Sequence, residues 1–86
     1  MRLNLNFMKG DKKMKVTFEN VLVCDVDCIT YENKHYYGLI VYQNGQLYRI
    51  SLPNGSQSEF SKQIGQKITV DASMRVFDGK TKFKLN

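Results

Sequence analysis

Asn44-Gly45 is the most constraining pair in this chain. It separates KHYYGLIVYQ from QLYRISL, two runs rich in β-branched and aromatic residues. A two-residue type I′ turn needs positive φ at both central positions, which Asn and Gly tolerate best. The sequence therefore predicts a β-hairpin over residues 34–52. With Asn44 and Gly45 as its loop, Gln43 faces Gln46, Val41 faces Tyr48, Leu39 faces Ile50 and Tyr37 faces Leu52, which makes one apolar face. Strand side chains alternate, so Tyr36, Gly38, Ile40, Tyr42, Leu47, Arg49 and Ser51 share the other face, where rings mix with a cation.

Asp78-Gly79 repeats the logic near the carboxyl end. The simplest register sets Phe77 against Lys80, Arg75 against Lys82, Met74 against Phe83, Ser73 against Lys84 and Ala72 against Leu85. Arg75 and Lys82 are then a like-charge cross-strand pair, which destabilises a sheet unless something anionic relieves it. Residues 16–31, VTFENVLVCDVDCITY, are long for one strand. Val16, Phe18, Leu22, Cys24, Val26 and Cys28 fall on the even face, and Val21 and Val23 make the odd face apolar too. That pattern predicts strong bending through a bulge, so that one strand serves two sheets of a small barrel. Glu32-Asn33 turns the chain into the first hairpin.

At the amino end, Leu3, Leu5 and Phe7 alternate with Asn4 and Asn6 as in a half-buried strand, and the stretch from Lys9 through Gly10 and Asp11 to Lys12 reads as a turn. Between the hairpins, Pro53-Asn54-Gly55 stops a strand, and Ser56 and Glu59 have capping-box spacing. A helix of about two turns, with Phe60 and Ile64 packing down and Gly65 ending it, and an irregular loop anchored by Phe60 are both open. The expected fold is small and all-β, one domain over residues 1–86: a five-stranded OB-type Greek-key barrel with a short helix or loop between strands 3 and 4, and an extra amino-terminal strand left open.

Thirteen Lys and Arg against eight Asp and Glu give a formal charge of +5, which favours polyanionic partners. The excess sits at the two ends, and residues 16–66 are net acidic. No apolar run has the length of a signal peptide or a membrane span, so a soluble, cytoplasmic protein with no membrane partner is expected. In an extended strand Cys24 and Cys28 lie roughly 13 Å apart, too far for a disulfide. With His35 the sole histidine, a four-ligand zinc site lacks donors. Both cysteines read as small core hydrophobes. No nucleophile with a matched base, no Gly-rich phosphate loop and no acid pair of catalytic spacing is present, so no enzyme, catalytic residue, metal or cofactor is expected. Asp25 and Asp27 read as solvated acids at a strand edge.

What the chain offers is exposed rings interleaved with cations. Single-stranded nucleic acid calls for both, because cations follow the phosphates and aromatic faces stack any base at roughly 1–3 kcal/mol each. Lys34, Tyr36, Tyr42, Arg49, Arg75, Phe77, Lys80 and Lys82 are the candidate binding residues. No basic amphipathic helix is available to enter a duplex groove. RNA binding of the cold-shock type is a close alternative. A small barrel that joins a protein partner through Ile40 and Leu47 is a third reading.

Lys34-x-Tyr36, the strand Tyr48-Arg49-Ile50-Ser51-Leu52, and Gly65-x-x-Ile68-Thr69-Val70 followed by Arg75-Val76-Phe77 and Gly79 resemble the helix-destabilising proteins of filamentous phages, the gene V type. The resemblance runs over residues 34–85 and implies an OB-fold protein that coats single-stranded DNA as a homodimer during phage or mobile-element replication, in the cytoplasm of a bacterial host. It gives Arg49 a phosphate contact and Phe77 the aromatic tip of a protruding loop that touches DNA held by a neighbouring dimer. Gly38 stands where that family carries a larger apolar contact residue.

Overall fold

The computed structural model describes residues 12–86. Its elements are β1 (Lys12–Tyr31), β2 (Lys34–Gln43), β3 (Gln46–Leu52), α1 (Gln57–Ser61), β4 (Lys67–Phe77) and β5 (Lys80–Leu85). The strands close into a barrel in the order β1-β2-β3-β5-β4, with β5 returning to β1 through β4 and β3 pairing with β5 in parallel. This is the five-stranded OB-type barrel. Both expected hairpin registers are present, from Gln43 against Gln46 to Tyr37 against Leu52, and from Phe77 against Lys80 to Ala72 against Leu85. The residues at all three two-residue turns, Glu32-Asn33, Asn44-Gly45 and Asp78-Gly79, have positive φ, as type I′ geometry demands.

β1 bends twice, where one bulge was expected. Its pairing with β4 slips between Phe18 and Val21, where Asn20 takes φ of 54° and its N–H reaches Thr69 Oγ1 at 3.1 Å. Its pairing with β2 slips between Val23 and Asp25. Each extra residue reverses the inward phase. The buried side chains accordingly step from Phe18 to Val21 and Val23, with Val26 packed against the same core, and the two-faced apolar pattern of the sequence is one inward face read in three phases. The second bulge is pinned by the α1–β4 connection: Gly65 N–H donates to Val23 O at 2.8 Å and Val23 N–H to Gln66 O at 2.9 Å.

The cysteines are not core residues: both are free and exposed, Cys24 because of the bulge and Cys28 near the end of β1 beyond the core. Cys24 is the residue skipped in the register. Cys28 lies opposite Tyr37, with Sγ 3.8 Å from His35 Nδ1. The core is Phe18, Val21, Val23, Leu39, Val41, Ile50, Leu52, Val70 and Ala72, and the rings of Phe18, Tyr48 and Phe83 meet at centroid distances of 5.1–5.8 Å.

Three further expectations shift. β1 begins at Lys12, which is strand and not turn, while the strand expected at Leu3, Leu5 and Phe7 lies outside the described residues. The helix option is realised, but over five residues only. Ser56 is itself in the helical region, so its hydroxyl does not cap the helix and donates instead to Pro53 O at 2.8 Å. Phe60 packs on the core and Ile64 is exposed.

Candidate functional site

One transverse row crosses all five strands. Lys15 pairs with Ser73, Ser73 with Lys84, Lys84 with Ser51, Ser51 with Gly38, and Gly38 with Asp27. The bent β1 supplies both ends of it. Ser73 and Ser51 are small and flank Lys84 in this row, while Gly38 is covered by the Arg49 guanidinium. A groove of about 380 Å³ lies along the β3–β5–β4 part of it, lined by Ser51, Ser73, Arg75, Lys82, Lys84 and Asn86 among others. Ser73 Oγ donates to Asn86 Oδ1 at 2.6 Å on its wall. A second depression, of about 770 Å³, adjoins it and shares Ser51 and Lys84. Lys34, His35, Tyr36 and Gln57 stand around that one, above Tyr37 and Leu52.

The groove is cationic: Arg75 and Lys82 stand directly opposite each other as cross-strand partners on β4 and β5, and Lys84 lines the groove with them. Among the described residues no carboxylate forms an ion pair with Lys82 or Lys84, and the nearby Asp71 accepts a hydrogen bond from Thr17 Oγ1 at 2.9 Å.

Arg49 is engaged differently. Its Nε donates to both carboxylate oxygens of Asp27 at 3.1 Å, its Nη2 lies 3.0 Å from Asp27 Oδ1, and the same nitrogen donates to the Tyr36 carbonyl at 3.4 Å. To reach Asp27 the guanidinium crosses directly over Gly38, where a Cβ would overlap Nε and Cζ. The glycine is therefore a clearance for an internal ion pair, which accounts for its smallness at an outward position. Asp27 is half-buried in that pair, at 35% side-chain exposure, and is not a solvated edge acid. Asp25 holds its own strand, accepting the Val26 N–H at 2.8 Å.

The other candidate residues divide into groups. Lys34 and Tyr36 border the larger depression, with Tyr36 47% exposed. Arg75 and Lys82 line the cationic groove. Phe77, 59% exposed, and Lys80 face each other at the tip of the β4–β5 hairpin, one side-chain repeat or roughly 7 Å beyond Arg75 and Lys82. Tyr42 is apart, in a separate depression with Glu19, Asn20 and Lys67. Lys84, Ser51, Ser73 and Gln57 went unremarked as site residues. Lys84 had a signal, since it continues the outward phase of Lys80 and Lys82. The serines had none, because their role depends on β3 meeting β5.

Among the described residues, no group of three or more His, Cys, Asp or Glu side chains is arranged to hold a metal ion, and no helix is long and apolar enough to cross a membrane. Comparison with known proteins finds no matching family model, no matching curated protein and no matching solved structure.

Proposed function

We propose that this protein binds single-stranded DNA without strong sequence selection, coating and protecting it. The observation that carries the reading is the junction at Ser51 and Lys84, where a groove lined by Arg75, Lys82 and Lys84 runs into a depression bordered by Tyr36 and Lys34. A strand laid along that path meets cations at its phosphates and an aromatic face beside its bases, the pairing that sequence-tolerant single-strand binders use. Phe77 and Lys80 extend the path at the hairpin tip. Arg49 enters as a strut: bound to Asp27 and to the Tyr36 carbonyl, it fixes the strand that presents the Tyr36 ring.

Coating as a homodimer, and a place in phage or mobile-element replication in a bacterial cytoplasm, rest on the sequence resemblance to the gene V type. The exposed Leu47 and Ile29 on the outer face of β1–β3 give a second copy something to cover. Anisotropy titration of a labelled (dT)16 strand against the same length of RNA and of duplex DNA tests the reading. The expected result is DNA binding that weakens with salt, with a slope in log K against log salt of roughly −3 for four or five phosphate contacts, and much weaker duplex binding. Preference for RNA would move the protein to the cold-shock type of reader. Failure to bind any strand at low salt would remove the proposal.

A further inference from the structure

We propose that the depression beside Tyr36 reads one base of the bound strand, favouring the keto edge of thymine or uracil over the amino edge of cytosine. The inference rests on the single-strand binding proposed above and adds a preference at one nucleotide per chain. At about 770 Å³ the depression lies within the size range of small-molecule sites. Leu52 is buried beneath it, Tyr37 is half-buried, and the exposed Tyr36 ring stands at its edge. A base entering there rests on apolar surface while its backbone remains beside Lys34 and Lys84.

The polar groups around it are unequally divided between donors and acceptors. No carboxylate lines the depression, whereas two ammonium groups do, and the His35, Ser51 and Asn54 side chains beside them can donate as well as accept. The Gln57 amide is oriented by the turn before it: Oε1 accepts the Gly55 N–H at 2.7 Å, which turns the oxygen toward the turn and fixes the NH₂ as the opposite, donor end. That turn is itself held, with Gly55 at φ of 100° and both the N–H and the hydroxyl of Ser56 donating to Pro53 O, at 3.2 and 2.8 Å. A fixed donor beside two cations suits a base that presents an acceptor. Thymine and uracil present O4, where cytosine presents the donor N4–H₂. Single strands expose these edges for reading.

Uracil and cytosine differ only in this 4-substituent and its consequence at N3, so the full chain is titrated with labelled (dU)8 and (dC)8 at neutral pH and fixed salt. The expected result is (dU)8 binding roughly fivefold tighter, the worth of about one hydrogen bond. Gln57→Ala is expected to bring the ratio close to one, and Gln57→Glu, which turns the donor into an acceptor, to bring it below the Gln57→Ala value. In both variants the salt slope for (dU)8 stays within about 0.7 of the parent value, the change expected for one phosphate contact. Equal affinity of the parent for the two strands overturns the base-reading subsite and leaves single-strand binding standing, as does a ratio that neither substitution moves. Binding of neither strand overturns both.

Discussion

The outer surfaces of the two hairpins carry similar residues and use them differently. On β2–β3 Arg49 is occupied within the fold, lying across Gly38 onto Asp27, and what remains facing outward is chiefly Tyr36, Ile40, Tyr42 and Leu47, with Lys34 at the start of β2. On β4–β5, Arg75, Lys82 and Lys84 line an open groove, and the described carboxylates make no ion pair with either lysine. One half supplies most of the rings and the other most of the open charge, and the parallel β3–β5 contact at Ser51 and Lys84 joins them. Counting cations along the sequence conceals this division, because Arg49 and Lys82 look equivalent until their neighbours are known.

The comparison can be broken most easily on the charged side. Replacing Lys82 and Lys84 together by Glu is expected to weaken (dT)16 binding on the order of 100-fold at moderate salt and to flatten its salt dependence, with the thermal melt little changed because both positions are exposed. A loss below threefold in the same titration would mean that the groove is not the phosphate path. On the ring side, Tyr36→Ala should cost about 2 kcal/mol of affinity, near thirtyfold, and leave the salt slope unchanged.

Gly38→Ala sharpens the contrast from within the fold. The added methyl displaces the Arg49 guanidinium, and urea unfolding is expected to show a loss of about 2 kcal/mol, the usual cost of overpacking. Arg49→Ala should lower stability by about 1 kcal/mol, a modest figure because the pair is partly exposed to solvent. Its effect on DNA should be a small loss of affinity with the salt slope preserved. A phosphate-contacting arginine would instead reduce that slope by about 0.7. Smallest of all is Tyr42→Ala, expected to change (dT)16 affinity less than twofold, since Tyr42 sits in the depression with Glu19 and not along the groove.

Much of the fold was legible because its determinants are local. Asn44-Gly45 and Asp78-Gly79 fix their turns, and alternation then fixes every partner along each hairpin. The bend in β1 was visible as apolar residues on both faces, but not its resolution into two phase reversals. Those depend on Thr69 meeting Asn20 and on Gly65 and Gln66 meeting Val23, contacts between residues more than 40 positions apart. Cys24 was misplaced for the same reason. In the site, the cationic face of β4–β5 followed from register alone. The Arg49–Asp27 pair did not, because it runs diagonally from β3 across β2 to β1 and needs the space over Gly38. The groove floor was invisible, since Ser51 and Ser73 become neighbours of Lys84 only when the barrel closes.

Amide chemical-shift mapping with (dT)16 tests the central claim most directly, because it reports where on the surface the strand lies. The predicted result is a band of perturbed amides running through Ser73, Lys82, Lys84 and Ser51 to Tyr36, with Tyr42, Asn44 and Lys67 little changed. A band centred on the Tyr42 depression, or shifts scattered over the barrel without continuity across the β3–β5 seam, would contradict it.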